Sequence, residues 1–253
     1  MRVFANMLAS VASVATALML SSPAAAQTPA QTSAFASLDP LFAKFMAERH
    51  APGLVFGVVV DGKLAYVRAL GVQDTETKAP VTADTVFRIA SMSKNFTALA
   101  ALKLRDDGKL RLDAPAETIV PELKAWTYPT TDSPKITVRD LLTHSAGFVT
   151  DDPWGDRQLA MPEPEFSSFV AAGVPFARAP GMAFEYSNFG YALAGRVVTN
   201  ASGRNYADYV EAAFLKPLGM ASTGYDLKRA PAGRRAIGYR WQDGAWAEEP
   251  ALG

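Results

Sequence analysis

Apolar and β-branched residues form two pairs of short runs, one pair near each end of the chain. The first pair, residues 54–60 and 63–70, is joined by an Asp-Gly dipeptide, which is typical of the tight turn in a β-hairpin. The second pair, residues 237–241 and 245–247, flanks another Asp-Gly dipeptide. The pattern therefore predicts two antiparallel hairpins that are far apart in the sequence.

Most of the remaining chain carries its apolar residues at intervals of three and four, as amphipathic helices do. The first predicted helix is capped by Asp39 and has a proline at its first position. Further helices are predicted to begin at Ser91 and Thr137 and to cover residues 163–172, 190–201 and 206–215. Hairpins near both ends and helices between them indicate an α+β fold.

Ser91-Met92-Ser93-Lys94 is the only Ser-x-x-Lys in the chain, and it opens one of the predicted helices. Residues three apart share a helix face, so this spacing brings the Ser91 hydroxyl beside the Lys94 amine. A partly desolvated lysine can lose its proton and act as a base, and N–H groups at a helix start can stabilise an oxyanion. The alternative is chance, because a bare Ser-x-x-Lys is expected about once in a chain of this length.

Tyr186-Ser187-Asn188 is the only Tyr-x-Asn in the chain, and it lies just before a predicted helix. A tyrosine beside a serine–lysine pair can relay a proton to a leaving group. The asparagine can donate to a substrate carbonyl or to the lysine. The alternative is an ordinary aromatic residue followed by a helix N-cap, a position that asparagine favours.

Together with their surroundings, these motifs resemble the serine β-lactamase and penicillin-binding-protein superfamily, in which Ser-x-x-Lys is an established signature. The resemblance extends over residues 86–94, 136–148, 180–184 and 217–220, which occur in the family's order. Tyr186, where class A enzymes carry a serine, is similar to the class C branch. That branch also includes D-Ala-D-Ala peptidases and esterases.

The resemblance implies a two-lobed β-lactamase-like fold, in which a helical lobe is inserted into an antiparallel sheet made of N-terminal and C-terminal strands. It implies four roles: nucleophile for Ser91, base for Lys94, proton shuttle for Tyr186 and substrate binding for Asn188. The family's third motif, a Lys-Thr-Gly or His-x-Gly on a strand, does not follow Tyr186 here. We therefore expect the C-terminal sheet strands to be missing from residues 38–253, and this fragment alone to be impaired or inactive.

Composition excludes several classes of function. The chain has 25 basic and 25 acidic residues, so its net charge gives no support to nucleic acid or an anionic membrane as a partner. Without cysteine there can be no disulfides, thiol catalysis or zinc–thiolate sites. Only His50 and His144 remain as potential imidazole ligands, so we expect no metal site and no cofactor. We interpret His144 as a structural loop residue, because Lys94 already fills the role of base.

The first 26 residues have the features of a signal peptide. One arginine precedes an apolar, alanine-rich stretch at residues 8–20, and three alanines before Gln27 offer a cleavage site. An uncleaved membrane anchor is the alternative. We expect residues 27–37 to be a flexible lead-in to a domain over residues 38–253, and the mature protein to be periplasmic or secreted, without a membrane attachment.

Three functions remain open on the sequence. The leading hypothesis is a secreted serine hydrolase that forms an acyl-enzyme with a small-molecule ester, a β-lactam or a D-amino-acid peptide. The second is a non-hydrolytic module that captures peptidoglycan stems or acyl ligands in the same cleft. The third is a signal-anchored structural protein whose motif arose by chance. Labelling with a covalent activity probe separates the first from the other two.

Overall fold

The computed structural model describes residues 29–150 and 161–249, so the predicted signal peptide at residues 1–26 lies outside the described residues. The described helices and strands are α1 (Pro29–Ala36), α2 (Leu38–Arg49), β1 (Gly53–Val60), β2 (Lys63–Gly71), α3 (Lys94–Asp106), α4 (Val138–Leu142), α5 (Glu163–Ala172), α6 (Asn188–Ser202), α7 (Tyr206–Val210), β3 (Tyr239–Gln242) and β4 (Ala245–Glu248).

Both predicted hairpins are confirmed, and within the described residues they form two separate two-stranded sheets. β1 pairs antiparallel with β2, and β3 pairs antiparallel with β4. Rather than pairing with the first hairpin, the C-terminal hairpin contacts the end of α2. The Trp241 ring stacks on His50 with centroids 4.1 Å apart, and Trp246 Nε1 donates to the His50 carbonyl at 2.7 Å. The hairpin near the C-terminus therefore returns to the N-terminal part of the fold.

The segment expected to be a flexible lead-in, residues 27–37, is a helix over most of its length in the described part. This helix is α1, which has a proline at its first position, where the missing N–H of proline is not needed. The Phe35 ring lies 5.9 Å from the Tyr66 ring on β2, so α1 packs against the first hairpin. Local composition could not predict this helix, because its contact with β2 joins residues that are distant in the sequence.

Asp39 does not cap α2 as the sequence predicted, because the helix begins two residues earlier, at Leu38, and Ser37 occupies the N-cap position. The Asp39 carboxylate instead accepts a hydrogen bond from the Tyr66 hydroxyl at 2.7 Å and pairs with Arg68 Nε at 2.9 Å. The hydrogen bond to this carboxylate raises the pKa of Tyr66. Asp39 therefore joins α2 to β2.

The hydrophobic core lies among the helices and is built around α3 and α6. Both helices bury residues three and four apart, as the amphipathic pattern predicted. The buried core residues are Ala100, Ala101 and Leu104 on α3 and Phe189, Leu193, Ala194, Val197 and Val198 on α6. Alanines at this contact allow the two helix backbones to approach closely. This packing fixes the N-terminal ends of α3 and α6 relative to each other.

The helix boundaries agree with the sequence in α4 and α5 and differ in α7. Thr137 Oγ1 accepts from the Asp140 N–H at 3.1 Å, and the Asp140 carboxylate accepts from the Thr137 N–H at 2.9 Å, which makes a capping box. The helix predicted over residues 206–215 divides into α7 and a π-helical turn, Glu211–Leu215. Within residues 29–150 and 161–249, no helix is long and apolar enough to cross a bilayer.

Candidate active site

Ser91 lies in a short 3-10 turn, Ala90–Ser93, that runs directly into α3. The sequence predicted a continuous α-helix from Ser91, so the first turn is tighter than expected. Lys94 Nζ donates to Ser91 Oγ at 3.0 Å, which confirms that the three-residue spacing brings the two groups together. Ala90 has a φ of 44°, an uncommon value for a non-glycine residue, and this bend presents Ser91 at the surface.

Tyr186 and Asn188 meet the serine–lysine pair at the N-terminus of α6. The Tyr186 hydroxyl lies 2.8 Å from Ser91 Oγ and accepts from Lys94 Nζ at 2.8 Å. Lys94 Nζ also donates to Asn188 Oδ1 at 2.7 Å. The structure therefore brings all four residues selected from the sequence into one hydrogen-bonded cluster, although the two motifs are 92 residues apart.

Asn188 differs in detail from both sequence interpretations. It is not the N-cap of α6, because that position belongs to Ser187, whose hydroxyl accepts from the Gly190 N–H at 2.9 Å. The hydrogen bond with Lys94 also has the opposite direction to the predicted one: the lysine donates it and the Asn188 amide oxygen accepts it. Asn188 therefore holds the Lys94 amine between α6 and Ser91.

Tyr191 is a further residue of this site that the sequence analysis did not select. Lys94 Nζ lies 5.6 Å from the Tyr191 ring centroid and 4.9 Å from that of Tyr186, so two aromatic faces border the amine. The Tyr191 hydroxyl donates to the Leu142 carbonyl at 2.8 Å. Burial, and to a lesser degree the neighbouring Tyr186, raises the pKa of Tyr191, so it remains a neutral phenol. Its position three residues after Asn188 on one helix was a signal that could have identified it.

The segment that carries Tyr186 is held by a second loop, residues 144–148. The Gly147 carbonyl accepts from the N–H groups of Ala177 and Arg178, at 2.8 and 3.3 Å. Gly147 itself has a φ of +84°, and a Cβ atom there would lie 2.3 Å from the Arg178 carbonyl oxygen. The close approach of the two loops therefore requires glycine at this position.

Large apolar side chains are exposed next to the cluster in the sequence. Met92 directly follows Ser91, and Phe184 lies two residues before Tyr186; they are 61% and 67% exposed. The Phe184 ring also contacts the ring of His144 at a centroid distance of 5.5 Å. In the ranges that the structure describes, no group of three or more His, Cys, Asp or Glu residues is arranged to hold a metal ion.

The sequence matches the Beta-lactamase family over residues 38–253. The match covers most of the chain, so this protein belongs to the β-lactamase family. The family resemblance carried by the two motifs is therefore confirmed.

Individual relatives agree with this assignment. Esterase EstB of Burkholderia gladioli is 33% identical over 202 residues, which make up 75% of this chain and 51% of the esterase. The octameric penicillin-binding protein homologue from Pyrococcus abyssi gives a TM-score of 0.73 at 29% identity, over 85% of this chain and 50% of that one. A class C β-lactamase gives 0.68 at 27% identity, over 85% of this chain and 56% of that one.

These comparisons confirm the predicted α+β, β-lactamase-like fold. They also place the chain among proteins of the penicillin-binding, class C β-lactamase and esterase types. The chain spans about half the length, or less, of the curated relatives it matches.

Proposed function

We propose that this protein is a secreted serine hydrolase that cleaves ester or amide carbonyls through an acyl-enzyme on Ser91. The observation that carries the proposal is the cluster at Ser91 Oγ, where the Lys94 amine lies 3.0 Å away and the Tyr186 hydroxyl 2.8 Å away. A nucleophile within hydrogen-bond reach of a base, which is in turn held by a third group, is the arrangement that covalent catalysis requires. Asn188 is that third group.

In the proposed reaction, Lys94 acts in its neutral form, in which Nζ turns a lone pair toward Ser91 Oγ in place of the N–H that donates to it. Ser91 Oγ attacks the substrate carbonyl carbon while its proton passes to this lone pair. The N–H groups at the start of the helical turn, including that of Ser91, stabilise the oxyanion. Tyr186, which contacts both Ser91 and Lys94, transfers the proton to the leaving group as its bond to carbon breaks. Water then attacks the ester of Ser91, gives a proton back through the same groups and releases the acid.

Small esters are the substrate class that the proposal favours over β-lactams and D-amino-acid peptides. Met92 directly follows the reacting serine and Phe184 lies two residues before Tyr186, so their exposed side chains offer apolar surface beside both motifs. Apolar surface favours the acyl chain of an ester. The relative EstB is named as an esterase, which supports the same choice.

A comparison of two chromogenic substrates tests this choice. We expect the complete protein, rather than residues 38–253 alone, to hydrolyse p-nitrophenyl esters of short acids with a larger kcat/KM than nitrocefin, measured by absorbance under the same conditions. A larger kcat/KM for nitrocefin would assign the protein to β-lactam hydrolysis instead. Covalent labelling of Ser91 without turnover of either substrate would favour the non-hydrolytic binding module. If the protein shows no labelling of Ser91 and no turnover of either substrate, the proposed function is wrong.

The proposed location outside the cytoplasm rests on the sequence of residues 1–26. We expect export to remove these residues, because three alanines precede Gln27 and signal peptidases cleave after small side chains. N-terminal sequencing of the protein from the extracytoplasmic fraction should therefore begin at Gln27. A protein in that fraction that still begins at Met1 would show an uncleaved anchor.

A further inference from the structure

His144 makes two hydrogen bonds to the backbone on either side of Tyr186. Its carbonyl accepts from the Glu185 N–H at 2.7 Å, and its ring nitrogen Nδ1 accepts from the Ser187 N–H at 3.0 Å. A single residue therefore fixes the peptide groups before and after the tyrosine that contacts Ser91. Nδ1 can accept this bond only when it carries no proton, so the ring proton of neutral His144 is on Nε2.

The His144 ring also packs against the side chains that border the Lys94 amine. Its centroid lies 4.6 Å from that of Tyr186, with the rings inclined by 30°, and 4.8 Å from that of Tyr191. Both tyrosine rings in turn face Lys94 Nζ. The orientation of the Tyr186 ring is thus set by the His144 ring as well as by the backbone.

The backbone of His144 is held in an uncommon conformation, with a φ of 57°. The residues on either side account for this: the Ser145 hydroxyl donates to the Asp140 carboxylate at 2.9 Å and lies 2.8 Å from the Thr143 hydroxyl. Non-glycine residues adopt such values where the surroundings enforce them, and often at functional sites. The loop therefore directs the imidazole toward the Tyr186 segment.

We propose that His144 is a positioning residue that keeps the Tyr186 hydroxyl in contact with Ser91 and Lys94, and that protonation of its ring releases this contact. In the neutral ring, Nδ1 accepts from the Ser187 N–H. Once Nδ1 carries a proton, it is a donor that faces another donor. The bond would break, and the segment would be free to move Tyr186 away from Ser91. The consequence for catalysis rests on the proposed function, whereas the structural coupling does not.

Titratable groups lie close to the imidazole. From α3, the Lys94 amine lies over the two tyrosine rings that contact His144 and, when protonated, opposes a positive imidazole. From α6, the neutral phenol of Tyr191 contributes no charge, and its pKa is raised by burial. Tyr186 lies between these groups and the imidazole ring contacts it directly.

Two carboxylates, those of Asp140 and Glu185, belong to the segments that adjoin His144. Asp140 is on α4 and accepts from Ser145. Glu185 follows Phe184 and is already engaged, because it accepts from Arg178 at 2.8 Å and from the Thr150 hydroxyl.

Two substitutions distinguish the effect of the hydrogen bond between Ser187 and His144 from the effect of the packed aromatic ring. His144→Asn places an amide oxygen close to the position of Nδ1, tolerates a positive φ and does not titrate. His144→Phe keeps an aromatic ring but has no acceptor for the Ser187 N–H. We expect the asparagine variant to retain measurable labelling of Ser91 by a fluorophosphonate, and the phenylalanine variant to label at least about tenfold more slowly than the asparagine variant.

The pH dependence of labelling gives the decisive comparison. Dividing the wild-type rate by the His144→Asn rate removes the pH dependence that the two proteins share. We expect this ratio to fall by at least about fivefold between about pH 8 and pH 5.5, because histidine is the side chain that ordinarily gains its proton within this range. A ratio that does not change with pH would overturn the proposal, whatever the absolute rates.

Nuclear magnetic resonance tests the coupling without any reaction at Ser91. The chain contains only two histidines, so His50→Gln leaves the signals of His144 alone. We expect the nitrogen shifts to show the Nε2–H tautomer at about pH 8, and the Ser187 amide and Tyr186 ring signals to follow the titration of His144. These shifts should be absent in His144→Asn. If Ser91 fails to label but the signals of Ser187 and Tyr186 follow the titration of His144, only the proposed function is wrong. If the signals of Ser187 and Tyr186 do not follow His144, the positioning role is wrong.

Discussion

The Ser91→Ala protein is expected to take up no fluorophosphonate, whereas the wild-type protein gains one phosphonyl group. In the wild-type reaction, Ser91 Oγ forms a bond to phosphorus and fluoride leaves, so removing that oxygen removes the nucleophile. Ser91 is exposed, and its loss should leave the fold intact, because surface substitutions of this kind seldom change stability by more than about 0.5 kcal/mol. Intact-protein mass spectrometry measures the adduct, and thermal unfolding checks the fold.

Ser93→Ala provides a matched control for this experiment. Ser93 is the other hydroxyl of the motif and precedes α3, but its side chain makes no capping hydrogen bond there. We expect Ser93→Ala to label at close to the wild-type rate. Labelling that survives Ser91→Ala, or that disappears only in Ser93→Ala, would show that the nucleophile has been assigned to the wrong residue.

The Lys94→Ala protein is expected to acylate at least about 10²-fold more slowly than the wild type, which is the usual contribution of a general base. Lys94→Arg should not restore the rate, because a guanidinium keeps its proton at any pH where the protein is folded. The geometry gives the reason for so large an effect. The Lys94 amine donates to Ser91, Tyr186 and Asn188 together, so no other group in the cluster occupies its place.

Lys103→Ala is the control for the lysine series, because it lies on the same helix and pairs with Asp107 on an exposed surface. Exposed pairs of this kind contribute little, so both stability and labelling should remain close to wild type. Full labelling of the Lys94→Arg protein would show that another group takes the proton from Ser91.

Local sequence signals predicted much of the fold. The Asp-Gly turns identified both hairpins, and the capping residue Thr137 located the start of α4. Predictions failed where a contact distant in sequence decides the structure. Asp39 suited a helix cap, but its carboxylate bonds to β2 instead. Residues 27–37 have a composition suited to a flexible segment, but α1 packs against the same strand.

The candidate site also divides into features that local sequence signals predicted and features that depend on contacts distant in the sequence. The spacing within each motif fixed which side chains lie together on one turn, and this was enough to select Ser91, Lys94, Tyr186 and Asn188. How the two motifs meet depends on the packing of α3 against α6, which spacing alone does not specify. His144 was interpreted as a structural loop residue, and its bond to Ser187 arises from a loop contact that has no local signal.

The central claim is that Ser91 forms an acyl-enzyme, and rapid quenching tests it most directly. The protein is mixed with an excess of a p-nitrophenyl ester, quenched in acid at early times, digested and analysed by peptide mass spectrometry. Activated esters of this kind acylate quickly, so the intermediate should accumulate with a burst of p-nitrophenol. The account predicts the acyl mass on Ser91. An acyl mass on another residue, or release of p-nitrophenol with Ser91 unmodified at every quench time, would contradict it.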